Sequence, residues 1–298
     1  MTTNITFPRS IALHIGAHKT ATTHLQRSFG AQQQALIDAG VRYYGPESLR
    51  RPGKGLGDLF GLDLYQTPQP TRSPADQLDF MFKDGHRLIL SDENFIGVLH
   101  DKNGLIRTPL YPLASGRIEA LAEAMDAGPI EVCIGLRNPA SFIRSAYSQA
   151  LLGGRLITFS EYLSQNPLDQ IYWPGLVARV RSTVGVGRVT VWLFEDYKWQ
   201  FYKACAALMG DLVNMRIVPL PDPVHLGLSE AAVARILSQT GKGDLRDIAA
   251  DARGTYPVGD DFPAFDPFSP ADKAASEAEY AAQIVAIDQI KGVTILRS

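Results

Sequence analysis

The 298-residue sequence predicts an α/β fold in which a mainly parallel central sheet is flanked by helices in three layers. Three observations predict it. Four short apolar runs, beginning at Ile11 and covering Arg87–Ser91, Ile130–Leu136 and residues 188–194, read as buried strands. Segments with helical spacing lie between them, and alternating strands and helices build a parallel sheet through right-handed crossovers. Two of the runs pass directly into loops rich in hydroxyl and cationic side chains, and open α/β sheets hold their ligands at that strand end.

Residues 1–10 are a lead-in to the first strand. After the loop that follows it, Leu25, Phe29, Leu36 and Ile37 recur at near-helical spacing up to Gly40, a C′ residue. Residues 41–71 are rich in Gly, Pro and Arg without a sustained period, which predicts a long loop. Arg50, Arg51 and Lys54 could meet an anionic ligand there, but are read as a solvated basic loop. Ser73-Pro74-Ala75-Asp76 starts a helix with a serine cap, proline at the first position and an acid at the third. Arg87–Ser91 is the next strand, and Asp92-Glu93-Asn94 stands at its C-terminal end. Residues 97–112 are irregular, and Ser115 is the expected cap of a helix over 115–127. Ile130–Leu136 leads into Arg137-Asn138-Pro139 and a helix carrying Ser145, which Gly153-Gly154 ends. Ser160 is the expected cap of a short helix, and another spans residues 172–184. The strand at 188–194 closes on Glu195-Asp196, followed by a helix over 202–210. Residues 219–223 link to a mostly helical C-terminal third, about 220–298. There Ser229 and Ser269 cap helices and residues 254–268 form an acidic loop. The whole chain, 1–298, reads as one domain.

The first loop, His18-Lys19-Thr20-Ala21-Thr22-Thr23, precedes a helix N-terminus. Unpaired N–H groups and the positive end of the helix dipole converge there and suit a phosphate. The threonines add hydroxyl donors and Lys19 a mobile positive charge. A Walker A loop counted from Gly16 places Ala21-Thr22-Thr23 where Gly-Lys-Ser/Thr is required, so the lysine stands three positions too early for ordinary ATP hydrolysis. A threonine-rich helix start by itself is equally a cap. The second strand end adds Arg137 and, eight residues later, Ser145, a second anion clamp through the arginine fork.

Together these motifs resemble those of the sulfotransferases that use 3′-phosphoadenosine-5′-phosphosulfate (PAPS). The resemblance covers the two motifs and the order of elements between them, roughly the first two-thirds of the chain. It implies a P-loop NTPase-like fold. Lys19, Thr20, Thr22 and Thr23 match the loop that holds the 5′-phosphosulfate in that family, with His18 and Ala21 in the same cradle. Arg137 and Ser145 match the pair that holds the 3′-phosphate. Ala21 departs from the family's usual glycine. The Arg-Lys-Gly loop that also grips the 3′-phosphate in many members is absent, with Lys242 and Arg253 as possible substitutes. Some members place a glutamate after a Ser-rich strand end as general base, which implies that role for Glu93, with His100 as fallback. A cap for the following turn is the plain alternative for Asp92 or Glu93. The acids at Glu195-Asp196 resemble a structural pair.

The balance of 29 Lys plus Arg against 31 Asp plus Glu, a net charge of -2, argues against nucleic acid or an anionic membrane as a bulk electrostatic partner. Cys133 and Cys205 are too few for a disulfide framework or a cysteine zinc site, and Cys133 reads as a core residue. Neither a signal peptide nor a membrane span is evident, and a cytoplasmic location fits. The implied reaction is in-line transfer of the sulfuryl group of PAPS to a hydroxyl or amine, of a carbohydrate or lipid head group for instance. Glu93 takes the acceptor proton, and Lys19 stabilises the departing phosphate oxygen without a metal. Residues 41–71 and 97–112 would select the acceptor. The rivals are a P-loop kinase or hydrolase with a degenerate Walker A loop, and a nucleotide-binding module without catalysis.

Overall fold

A computed structural model describes residues 8–62, 70–221, 227–239 and 243–297. The strands are β1 (Ser10–His14), β2 (Val41–Tyr44), β3 (Arg87–Ser91), β4 (Ile130–Leu136), β5 (Val186–Leu193) and β6 (Val293–Ile295). They form one sheet in the order β2-β3-β1-β4-β5-β6, and every neighbouring pair is parallel. The loop-bearing strand β1 is therefore interior, with β3 and β4 on either side. Helices α1 (Thr22–Gly30) and α2 (Gln33–Asp38) lead from β1 to β2, then α3 (Pro46–Leu49), α4 (Leu56–Phe60) and α5 (Pro74–Phe82) lead to β3. Helix α6 (Ala114–Met125) precedes β4. After it come α7 (Pro139–Leu152), α8 (Phe159–Gln165) and α9 (Trp173–Arg181), and α10 (Tyr197–Met209) follows β5. The C-terminal stretch contributes α11 (Glu230–Leu237), α12 (Leu245–Thr255) and α13 (Pro270–Asp288) before β6.

Side chains of a strand alternate between the faces of its sheet, and here both faces are covered, so the central strands are apolar throughout. Leu13, Leu90, Val132, Ile134 and Val191 join one core with residues of α6, α7 and α9. Ala12, Ile89, Cys133 and Trp192 join the opposite core with Leu25 and Phe29 of α1, Leu36 of α2 and Phe201 of α10. This is the expected three-layer α/β architecture. Cys133 is a buried free thiol in β4, as its apolar neighbours predict, and Cys205 is buried in α10.

The structure corrects several elements. Six strands replace four, because β2 and β6 have four and three residues, too short to show a period. Residues 41–62 are not loop but β2, α3 and α4, punctuated by Gly45-Pro46 and Gly55. The helix expected up to Gly40 breaks in two at residues 31–32. Leu113, not Ser115, flanks the start of α6, and the Ser115 hydroxyl donates to the Arg179 carbonyl at 3.2 Å. Thr158, not Ser160, caps α8 in a capping box with Glu161. The helix α12 buries only Ala249 and Ala252, too thin a stripe to stand out in sequence. The serine caps at Ser73, Ser229 and Ser269 accept the N–H groups their spacing predicts, from Asp76, Ala232 and Asp272.

Candidate active site

The loop from β1 to α1 continues the sheet for one more step: Ile15 N–H donates to Cys133 O and Ala17 N–H to Gly135 O, each at 3.1 Å. It then turns through left-handed backbone at Gly16 (φ 43°), Lys19 (φ 67°) and Ala21 (φ 63°). Alternation of this kind curls successive N–H groups into a concave anion site. Glycine is required at 16, since a Cβ there would stand 2.3 Å from Thr22 Cγ2. The helix α1 begins at Thr22 with no side-chain cap and no acid in its first turn, so the positive helix end is not neutralised locally. Thr20 is buried and donates to Ala17 O at 2.6 Å, which staples the loop. The staple needs Gly135 beneath it, where a Cβ would lie 2.8 Å from Thr20 Oγ1. Thr22 is buried and Thr23 half-buried at the helix start. Ala21 adopts the left-handed conformation glycine would take without strain, at a cost of about 1–2 kcal/mol for an L-residue.

Arg137, 9% exposed at the end of β4, joins the loop directly: its Nη1 donates to Lys19 O at 2.8 Å. Its Nε donates to Ser141 Oγ at 2.6 Å, and its guanidinium stacks over the Phe194 ring at 4.0 Å. The Arg137 carbonyl accepts from Trp173 Nε1 at 2.8 Å, which fixes the strand end against α9. Asn138 caps α7, and its side chain also accepts from Ser276 of α13. Arg137 therefore meets Ser141, one helical turn before the expected Ser145, which is half-buried further along α7. Burial, with Arg144 nearby and Glu195 opposing, lowers Arg137 to about 10. Burial, Arg137 and Arg253 lower the Lys19 ammonium to about 8, against the pull of Glu93. Among the described residues neither cation has an ion pair with a carboxylate. Two desolvated cations on one edge favour a dianion between them.

On the β3 side, the 3-10 turn Glu93–Ile96 carries the candidate base. Gln26 Nε2 donates to Glu93 Oε2 at 2.8 Å, and Arg50 Nη2 lies 2.8 Å from Oε1. The same Nη2 lies 2.7 Å from Asp92 Oδ1, so Arg50 belongs to this acidic pair rather than to solvent. Burial pushes the Glu93 carboxyl up, but hydrogen bonds from Arg50 and Gln26 and the Arg50 charge outweigh it and leave Glu93 below the ordinary glutamate range. Asp92 accepts from Asn94 N–H, the capping role open to it from sequence.

His18 connects this turn to the loop. Its Nε2 lies 3.0 Å from Asn94 Oδ1, an acceptor, so Nε2 carries the proton and Nδ1 accepts from the Tyr111 hydroxyl at 2.9 Å. Tyr111 in turn accepts the His18 backbone N–H at 3.1 Å. His18 is thus a buried spacer between loop and turn, lowered in basicity by desolvation. His100 is held by Tyr162 (Nε2 to Oη 2.7 Å) and lowered to about 4, first by burial, with Arg155, His18 and Lys19 adding to it.

The structure brings Lys19, Thr20, Ala21, Thr22, Thr23 and Arg137 to one edge, with Glu93 electrostatically coupled to Lys19. Lys242 lies outside the described residues, as do residues 63–69 and 222–223 of the expected loop and linker. The Arg253 charge, from the last turn of α12, reaches Lys19. Glu195 accepts from Asn138 N–H at 2.9 Å, in keeping with a structural role. Gln26, Tyr111 and Ser141 have no site signal in the sequence, because each is an ordinary polar residue until the fold sets it beside the others; Arg50, expected in solvent, meets Asp92 and Glu93 instead. No described helix is long and apolar enough to cross a membrane, and no three His, Cys, Asp or Glu among the described residues are grouped to hold a metal.

No protein-family model matches the chain, and no curated protein matches it. Among solved structures it is similar to the crystal structure of a sulfotransferase from Alicyclobacillus acidocaldarius, at 17% identity over 94% of each chain, with a TM-score of 0.45.

Proposed function

We propose that the chain is a sulfotransferase that moves the sulfuryl group of PAPS to a hydroxyl or amine acceptor. The observation that carries the proposal is the hydrogen bond from Arg137 Nη1 to Lys19 O, which joins two anion motifs 118 residues apart in sequence into one edge. A nucleotide with phosphates at both ends of its ribose has the charge pattern such an edge suits. The 5′-phosphosulfate lies on the loop, Lys19 and the first turn of α1; the 3′-phosphate lies on Arg137 with Ser141 and Ser145.

As the bond to sulfur breaks, Lys19 and the uncapped N–H groups of α1 meet the charge growing on the departing phosphate oxygen. Glu93, ionised at neutral pH, accepts the acceptor's proton as its oxygen or nitrogen attacks the sulfur. A carboxylate held this low is a weak base and is useful only once the nucleophile's proton is already acidified by bond formation. The acceptor lies on the side of residues 41–62 and 97–112, which supply Arg50 and Tyr111. A glycan or lipid head group is the class proposed. We take the whole chain as one domain, since β6 completes the sheet and α13 reaches the α7 cap through Ser276, and propose a reducing, cytoplasmic setting, which its two free cysteines fit.

The test is thermal stabilisation by adenosine 3′,5′-bisphosphate compared with ATP and magnesium, followed by transfer of labelled sulfate from PAPS to an acceptor panel. Stabilisation by the bisphosphate together with transfer supports the proposal. Preference for ATP and magnesium returns the kinase or hydrolase reading, and binding without transfer to any acceptor the non-catalytic one.

A further inference from the structure

The side chain of Gln26 lies one turn inside α1, 7% exposed, and the donor proposal gives it no task. Its amide nitrogen carries two N–H groups, and both have partners on β3 or just beyond it: Ser91 Oγ at 3.2 Å and Glu93 Oε2 at 2.8 Å. Ser91 Oγ lies 2.7 Å from Nδ1 of His14, a residue of β1, so the chain of contacts returns to the strand that feeds the loop. The Gln26 backbone carbonyl accepts from the Tyr43 hydroxyl at 3.2 Å, which ties the same turn of α1 to β2. A helix whose first turn faces the donor is thus tied, four residues later, to the carboxylate that faces the acceptor.

We infer that Gln26 is the positioning residue for Glu93, holding its carboxylate in register with the Lys19 loop so that donor and acceptor groups meet in line. The inference rests on Glu93 being the base of the proposed transfer. Oxygen Oε2 is taken by Gln26 and Oε1 by Arg50, so the carboxylate plane is set from two directions, one buried and one open to solvent. Gln26 belongs to a buried helix turn, whereas the Arg50 side chain is 36% exposed on the segment after β2. Arg50 also has a second hold on Asp92 Oδ1, through Nε at 3.0 Å, and can leave Glu93 without losing its place. The other charged or titratable groups whose fields reach Glu93 are the adjacent Asp92, Lys19 and His18 from the loop, and His14 from β1. Tyr43 and Tyr111, from β2 and residues 97–112, complete the surroundings with neutral hydroxyls.

Gln26→Met keeps the length of the side chain and removes both donors. The expected result is a fall in kcat on the order of 10- to 100-fold, as for an ångström-scale misplacement of a reacting group. Thermal stabilisation by adenosine 3′,5′-bisphosphate should stay unchanged, and the acid limb of the kcat/KM profile should move to higher pH because the carboxylate has lost a hydrogen bond. Wild-type kcat with an unmoved acid limb overturns the inference. If Gln26→Met does not fold, Gln26→Asn, which keeps the donors on an arm one methylene shorter, carries the same expectation. The exchange Gln26→Glu with Glu93→Gln restores a hydrogen bond with the carboxylate on α1; it should recover stability but not transfer, and recovered transfer also overturns the inference. Glu93→Gln alone separates the two readings. Transfer that survives it removes the base assignment, whereas its loss beside a wild-type Gln26→Met removes only the positioning role.

Discussion

Lys19 shows how burial converts a common side chain into a responsive one. Free of ligand, its ammonium is lowered to about 8 from 10.5, so folding disfavours the charged form and stability gains as pH rises from about 8 towards the unfolded value. A bound dianion reverses the preference and raises the value in the complex. Between the two, binding takes up a proton, and affinity for adenosine 3′,5′-bisphosphate should fall as pH rises through about 8. Calorimetry in buffers of different ionisation heat measures that uptake directly; no uptake and a flat affinity between about pH 7 and pH 9 would contradict it. Lys19→Ala should lower turnover on the order of a hundredfold, as when a transition-state donor is lost, and steady-state transfer assays measure this. Glu93 has the opposite sign: its folded value is depressed, so its contribution to stability is present above the ordinary glutamate value and is lost as pH falls through the depressed one.

At the scale of elements, the β1–α1 connection tolerates an alanine where a left-handed turn favours glycine. Ala21→Gly relieves about 1–2 kcal/mol of backbone strain and adds about 0.5–1 kcal/mol of unfolded-chain entropy, for a net gain near 0.5–1 kcal/mol. A rise in Tm of about 1–3 °C in calorimetry is the expected readout, and a fall would show that the alanine methyl contributes packing that outweighs the strain. This connection was legible in the sequence because an apolar strand, a hydroxyl-rich turn and a helical repeat are contiguous. The Arg137 turn was legible for the same reason, with Pro139 marking the helix start; the Asn138 cap emerged only from the structure. The pairing of Arg137 with Ser141 was not. Serines four residues apart share a helix face, and only the rotamer the arginine adopts over Phe194 selects the nearer one.

For the molecule as a whole, strand order decides what meets. β1 sits between β3 and β4, so residues near 19, 93 and 137 gather at one edge although long stretches of chain separate them. Alternating strands and helices foretold a parallel sheet, but nothing in the pattern ranked the strands, and the outer strands were too brief to register at all. Gln26 and Tyr111 carry no site signal in the sequence for that reason, and Arg50, which reads there as solvated, instead pairs with Asp92 and Glu93. Each gains its significance from a neighbour supplied by the order of the sheet, and a glutamine on a helix face looks the same in sequence whether it faces water or Glu93.

The two cysteines have a practical corollary. Cys133 is raised to about 12 by burial, and Cys205 is raised in the same way within α10, so the native protein should not take up a maleimide at neutral pH. Denaturation should release two equivalents of thiol, as counted with a chromogenic disulfide. Val98, 66% exposed two positions beyond the turn that bears Glu93, then offers a place for a single fluorophore through Val98→Cys. No background cysteine needs deleting first, and a dye there would report binding beside the Glu93 turn in real time.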